Sequence, residues 1–190
     1  MHLIEQKTKL RESIKKRILS MPENDKQAES CTLCQKLLPN IPKGSTVCGY
    51  FPLQNEVDIT SLLNKLLNRK DAVFLPRYHN HQVTFHRVQD LKNLEKGDLN
   101  IPEPSRNVPA LNIQPDIVLV PGRAFDRTGA RLGRGGGGYD KWIASQRTSK
   151  GQAKFIGIGY ECQIINEVPT EPHDEKMDII ATASGIEEVQ

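Results

Sequence analysis

The chain has 190 residues, with 26 lysines and arginines against 23 acidic residues, a net charge of +3. So balanced a charge does not by itself imply nucleic-acid binding and suits small polyanionic ligands. No stretch approaches the ~20 apolar residues of a membrane span, and the charged N-terminus lacks a signal-peptide core, so we expect one cytoplasmic domain over 1–190, monomeric and without membrane or nucleic-acid partners.

Leu3, Ile4, Leu10, Ile14 and Ile18 predict an amphipathic helix over 3–20. Lys7 and Arg11 are four apart and share a face. Two cations converging on one point are unfavourable unless an anion sits there. The remaining basic residues read as a solvated face. Pro22 breaks the helix, and a second follows over about 24–38, with Ala28, Cys31, Cys34 and Leu38 on one side. Cys31 and Cys34 form a C-x-x-C within a helical pattern, with no second ligand pair at zinc spacing. They read as small, reduced core residues. Residues 46–51 read as a buried strand, and 59–68 as a third helix capped by Asp58 or Thr60. A short strand over 72–75 is ended by Pro76. His79, Asn80 and His81 lie in a polar turn, where the histidines read as solvated. Residues 83–88 alternate as a half-buried strand, and 94–104 are loop-like.

Residues 117–120 read as a strand closed by Pro121-Gly122. The stretch 131–140 then carries five of the chain's 14 glycines within six residues, and a helix is expected from Tyr139 to about Arg147. Glycine N–H groups and the first turn of a helix point outward unpaired and make an anion site. Arg131 and Arg134 add fixed charge with a fork suited to phosphate oxygens. Arg134, embedded among glycines, is expected to have no core role. Asp140 beside the loop is a candidate Mg²⁺ ligand, because Mg²⁺ takes a carboxylate together with substrate phosphates. Strands over 155–158 and 178–182 close the chain, with His173-Asp174 between them; His173 reads as a structural hydrogen-bonder. The alternation predicts an α/β fold, a Rossmann-like three-layer sandwich around a largely parallel sheet, with ligands at the carboxyl ends of its strands.

The run from Pro121 through Phe125-Asp126, Gly129, Arg131-Leu132-Gly133-Arg134-Gly135 and on to Tyr139-Asp140 is similar to the signature of the 5-formyltetrahydrofolate cyclo-ligase family. Lys7-x-x-Leu10-Arg11, the segment from Tyr50 to Asp58 and Pro172-His173-Asp174 resemble further segments of it. The resemblance implies ATP and 5-formyltetrahydrofolate as substrates, with Mg²⁺. It implies that Lys7, Arg11, Arg131, Leu132, Gly133, Arg134 and the run Gly135, Gly136, Gly137, Gly138 and Tyr139 contact ATP. It also implies that Glu56 hydrogen-bonds the pterin, that Phe51 offers an apolar wall, and that the glycine loop from Arg134 to Gly138 borders the folate. Asp140 and Asp174 would hold the metal, and Arg134 is the expected catalytic residue. The family's loop usually reads Gly-Tyr-Tyr-Asp where this chain has Gly137-Gly138-Tyr139-Asp140, so the first tyrosine is absent. Tyr139 or Trp142 is the candidate replacement ring.

Two other readings stand beside this one. Gly133, Gly135 and Gly138 fit G-x-G-x-x-G, and Glu161 stands where a dinucleotide-dependent oxidoreductase places its acidic residue. A preceding strand running straight into the glycines is missing, which counts against it. A non-catalytic nucleotide- or folate-binding module is the other.

Overall fold

The computed structural model describes residues 3–80, 82–97, 100–148 and 152–189. Helix α1 (Leu3–Ser20) and α2 (Glu23–Leu37) lead into β1 (Thr46–Cys48), α3 (Thr60–Asn68), β2 (Ala72–His79) and β3 (Gln82–Arg87). Two short strands follow, β4 (Glu95–Lys96) and β5 (Pro102–Glu103), then β6 (Ile117–Pro121), β7 (Ala124–Phe125), β8 (Arg131–Leu132) and α4 (Gly138–Thr148). The chain ends with β9 (Lys154–Ile158), β10 (Ile179–Ala181) and β11 (Ile186–Glu188).

Seven strands make one sheet in the order β11-β10-β9-β6-β1-β2-β3. The inner pairs are all parallel, and β3 and β11 join antiparallel at the two edges. Side chains alternate across it, as a pleated strand requires. Val47, Val73, Leu75, Ile117, Leu119, Ile156 and Ile179 face one layer, built on Ile14, Ile18, Leu33, Leu37, Leu62 and Leu66 from α1, α2 and α3. Cys48, Phe74, Val118, Val120, Phe155 and Ile180 face the other, where α4 contributes Tyr139 and Ile143. The expected α/β three-layer sandwich is therefore present, with three helices on one face and one on the other. No described helix is long and apolar enough to cross a membrane.

Several elements differ from expectation, each for a local reason. The strand begun at Thr46 ends at Cys48, because after Gly49 the chain turns into a cavity wall. Strand β2 runs straight through Pro76. Strand β1 pairs only with residues 72–74, so beyond them β2 has β3 alone as partner and Pro76 removes no needed donor. The buried face of α2 is Ser30, Leu33, Cys34 and Leu37, rotated from the expected one because Ser30 goes inward to accept the N–H of Asp58 (3.1 Å). Cys34 is buried and Cys31 exposed, so only the former is a core residue. Ile4, expected in the apolar stripe, is 61% exposed, while Lys7 is buried at 7% exposure. The loop expected over 94–104 contains the β4–β5 pair, with Asp98 and Leu99 outside the described residues, as is His81 of the polar turn.

Candidate active site

Chain order reverses between β1 and β6: from β1 the sheet grows through β2 to β3, and the chain then returns to the other side of β1. Such a switch point opens a crevice at the carboxyl ends of the strands. A cavity of about 770 Å³ lies there, within the usual range for a ligand pocket. Tyr50 and Phe51, following β1, and Pro121 and Gly122, at and just past the end of β6, line it together with Glu56, Tyr78, Arg134 and Tyr139. Phe51 thus stands in the wall where an apolar surface was expected.

Glu56 is buried at 8% exposure. Its Oε2 accepts the N–H of Leu53 at 3.0 Å. Its Oε1 accepts two bonds from Arg134, from Nε at 3.0 Å and from Nη2 at 2.8 Å. The backbone around it is pinned as well: Tyr160 Oη donates to the Glu56 carbonyl (3.0 Å) and Tyr50 Oη to that of Val57 (2.9 Å). Burial keeps both phenols above their ordinary pKa, so both remain donors. Arg134 was expected to have no core role, and its side chain is 43% exposed; it is nonetheless the counter-charge of a buried carboxylate 78 positions away.

The glycine stretch leaves β8 and enters α4. Gly135 (φ 102) and Gly137 (φ 66) take conformations that favour glycine, and a Cβ on Gly136 or Gly137 would meet nothing within 4 Å. The loop is thus an open backbone cradle ending at a helix N-terminus, where first-turn N–H groups lack intrahelical partners. It is held from below by the β7–β8 hairpin. Asp126, 2% exposed, ties that hairpin's turn: Oδ1 accepts from the Thr128 N–H, the Thr128 hydroxyl and the Ala130 N–H, and Oδ2 from the Val168 N–H.

A second cavity of about 210 Å³ shares Arg131, Gly133, Gly137 and Asp140 with the first. Lys7, Arg11, Glu171, His173 and Asp174 complete it. Arg11 donates from Nε to the Gly133 carbonyl (2.9 Å), bringing α1 onto the loop. Lys7 does not stand free. Its Nζ donates to Asp174 Oδ2 at 2.5 Å and to Glu171 Oε2 at 2.8 Å. Burial opposes the Lys7 charge, but these bonds outweigh it and hold its pKa above the ordinary lysine value. Burial likewise opposes the Asp174 charge; the Lys7 bond and the Glu171 N–H prevail and lower its pKa. The Lys7 bond lowers that of Glu171. Arg131 pairs with Asp140 at 2.7 Å.

The expected residues therefore fall into one region: Lys7, Arg11, Arg131, Leu132, Gly133, Gly135, Gly137, Asp140 and Asp174 line the smaller cavity, and Phe51, Glu56, Arg134, Gly136 and Gly138 the larger. Tyr139 lines the larger cavity and packs on Phe85 and Tyr78, while Trp142 stacks on Phe85 and does not reach that wall. His173 is 71% exposed and lies 3.9 Å from both Glu171 and Asp174, so it is no buried structural hydrogen-bonder. Glu161 lines neither cavity and accepts the Ser184 N–H (2.6 Å), which removes the acidic residue a dinucleotide site needs. Strand β8 does run directly into Gly133, but it belongs to the separate hairpin and not to the parallel sheet. Two residues escaped the sequence reading. Glu171 shares Lys7 with Asp174. Asn55 lines the larger cavity with its Oδ1 shielded and without a hydrogen-bond partner among the described residues.

The donors suit Mg²⁺. Asp140 commits Oδ1 to Arg131, and Asp174 commits Oδ2 to Lys7, which leaves each a second oxygen without a hydrogen bond among the described residues. Glu171, His173 and Asp174 also bring one ligand atom each within 4.8 Å of one another. Hard oxygen donors beside a phosphate cradle are the usual Mg²⁺ environment.

An apolar-walled pocket with a carboxylate floor, joined to a glycine-loop cavity at a sheet switch point, marks an α/β protein with two adjoining cavities. The model of the 5-formyltetrahydrofolate cyclo-ligase family matches residues 3–183, and the chain belongs to that family. It is 32% identical over 185 residues to the 5-formyltetrahydrofolate cyclo-ligase of Mycolicibacterium smegmatis, covering 93% of each chain. It is 30% identical over 200 residues to that of Saccharomyces cerevisiae, covering 93% of this chain and 94% of that one. The fold superposes on the Aquifex aeolicus 5,10-methenyltetrahydrofolate synthetase with a TM-score of 0.83 at 27% identity, over 97% of this chain and 93% of the other.

Proposed function

We propose that the chain uses ATP to convert 5-formyltetrahydrofolate into 5,10-methenyltetrahydrofolate, ADP and phosphate. One observation carries the reading: Arg131, Gly133, Gly137 and Asp140 line both cavities, so a phosphate on the glycine loop abuts a ligand seated on Glu56. The larger cavity suits the pterin. Glu56 and the orphaned Asn55 Oδ1 offer acceptors for an aminopyrimidinone edge, and Phe51 and Tyr50 offer apolar wall. The smaller cavity, at about 210 Å³, suits a phosphate chain and not a whole nucleotide.

The chemistry explains these residue types. A formamide oxygen is a poor leaving group. Its attack on the γ-phosphorus forms an O–P bond and releases ADP. N10 then attacks the activated formyl carbon, the C–O bond breaks, phosphate departs and N10 gives up its proton. No step needs a protein nucleophile; positioning and charge neutralisation suffice. Arg134 spends Nε and Nη2 on Glu56 and keeps Nη1, so one side chain can hold the pterin's acceptor and reach the transferred group. Arg11 likewise keeps its terminal nitrogens after donating from Nε to Gly133. Lys7 has one of its three donors left. Asp140, Asp174 and Glu171 are the residues that would hold Mg²⁺, which when bound neutralises phosphate oxygens.

The test is incubation of the purified protein with 5-formyltetrahydrofolate and Mg²⁺-ATP. Methenyl absorbance and inorganic phosphate should rise together, and neither should rise when one substrate is omitted. Binding of both ligands without phosphate release would mark a non-catalytic module. Thermal stabilisation by NADH but not by Mg²⁺-ATP would restore the oxidoreductase reading.

A further inference from the structure

A cavity that takes a phosphate chain and not a whole nucleotide leaves the nucleoside at one of its ends. Which end follows from the walls. Arg131, Gly133, Gly137 and Asp140 belong to both cavities and mark the junction, where the transferred phosphoryl group meets its acceptor. Helix α1 leads away from that junction. Arg11 stands at it, since its Nε donates to the Gly133 carbonyl (2.9 Å). Lys7 comes next, bonded to Glu171 and Asp174, which line the smaller cavity and not the larger. Ile4 lines the same cavity one turn further out. Residues 4, 7 and 11 fall on one stripe of the helix, and the helical rise puts Ile4 about 10 Å beyond Arg11. A triphosphate that starts at the junction and passes Arg11 and Lys7 therefore delivers its nucleoside at Ile4.

The side chain at that end has no other evident use. Of the large apolar side chains exposed among the described residues, Ile4 (61%), Leu19 and Ile113, only Ile4 lines a cavity. It joins neither core cluster, whereas Ile14 and Ile18 of the same helix are wholly buried. Its place is nevertheless set, because the Thr8 hydroxyl donates to the Ile4 carbonyl (2.9 Å) within the first turns of α1. The surroundings suit a base better than a further phosphate. Lys7 gives two of its three donors to acids, and Ile4 offers carbon. His173, 71% exposed and 3.9 Å from both acids that hold Lys7, brings a ring to the same end, and bases stack on such rings.

The geometry points to Ile4 as the apolar platform on which the base of the bound nucleotide lies. The inference rests on the nucleotide reading above. The contact sets carbon against a ring face, so it supplies affinity through apolar area removed from water.

The experiment is calorimetric titration of the wild-type chain, Ile4→Ala and Ile4→Phe with Mg²⁺-β,γ-imido-ATP and with Mg²⁺-tripolyphosphate, a phosphate chain that carries no nucleoside. Ile4→Ala should weaken imido-ATP by about threefold to tenfold and leave tripolyphosphate within about twofold. Ile4→Phe should match or exceed the wild-type affinity for imido-ATP. Melting temperatures should stay at the wild-type value in both variants, since Ile4 packs in neither core cluster. Equal weakening of both ligands by Ile4→Ala would mean that residue 4 only positions the helix and would overturn the proposal, as would an unchanged affinity for imido-ATP. Weaker imido-ATP binding in Ile4→Phe than in Ile4→Ala would overturn it too. A wild-type chain that binds tripolyphosphate but not imido-ATP would overturn the inference and leave the phosphate site standing. One that binds neither would overturn the nucleotide reading and this inference with it.

Discussion

Arg134→Ala tests the site and the fold together, because Arg134 is both the expected catalytic residue and the counter-charge of Glu56. Breaking a buried pair by removing one partner costs about 3–5 kcal/mol, while exposed pairs contribute about 0.2–1 kcal/mol. Here the Glu56 side chain is 7% exposed and that of Arg134 43%, so the pair lies between those limits, at about 2 kcal/mol. For a chain of this size each kcal/mol shifts the melting temperature by about 2–4 °C, so Arg134→Ala should melt about 4–8 °C lower. Placed on a Glu56→Gln background, where no buried charge is stranded, the same change should cost under about 0.5 kcal/mol. Turnover of 5-formyltetrahydrofolate should fall at least tenfold in Arg134→Ala, the loss of about one charge-assisted contact. Urea or thermal unfolding of the four chains, with turnover measured on the same preparations, gives both numbers. An equal stability cost of Arg134→Ala in the two backgrounds would refute the pairing argument, and near-normal turnover would remove Arg134 from catalysis.

Three further outcomes are expected. Lys7 has a raised pKa and Asp174 and Glu171 lowered ones; the Lys7 contribution is fully present below the unfolded lysine value and lost as pH rises through the folded one, and the carboxylate contributions are present above the unfolded acid values and lost as pH falls through the folded ones. Melting curves of Lys7→Met against wild type should therefore differ fully across about pH 4.5–10 and converge only as pH passes the folded values that lie outside that range, and a constant difference at all pH values would exclude this coupling. Asp140→Asn and Asp174→Asn should each raise the Mg²⁺ concentration needed for half-maximal turnover, and an unchanged requirement in both variants would exclude them as ligands. Gly138 has no positive φ and lines the larger cavity, so Gly138→Tyr should lower the folate KM several-fold at constant ATP KM; an unchanged folate KM would show that Tyr139 already supplies the ring.

What could be read of the fold follows burial. Strands β6 and β9 are covered on both faces, so residues 117–120 and 155–158 stand out as apolar runs. Helix α1 was legible from its spacing, though its inward stripe includes Lys7, whose carboxylate partners come from the far end of the chain. The β7–β8 and β4–β5 pairs and β11 are two or three residues long and exist only through their partners, so no local periodicity announces them. Pro76 misled for a related reason: a proline stops a strand only where its missing N–H faces a neighbour, and that depends on where β1 ends.

The site divides in the same way, and the long motif from Pro121 to Asp140 shows how. Part of it is scaffold. Asp126 and Gly129 close the hairpin turn, and Gly129 also accepts the Met177 N–H (2.8 Å), anchoring the turn to the chain that leads into β10. The other part is chemistry, in the open glycines, Arg131 and Arg134. A spacing argument finds both together because they are contiguous, and it cannot say which is which. The distinction appears only when partners from elsewhere arrive: Val168 on Asp126, Arg11 on Gly133, Glu56 on Arg134. Arg123 lies inside the same motif and received no role, since a lone arginine between Gly122 and Ala124 carries no local signal. What sets it apart shows only in the fold, where its Nη1 is shielded from solvent and meets no acceptor among the described residues. Glu171 is the converse case, an exposed-looking loop acid until Lys7, 164 positions away, is seen to share its charge with Asp174.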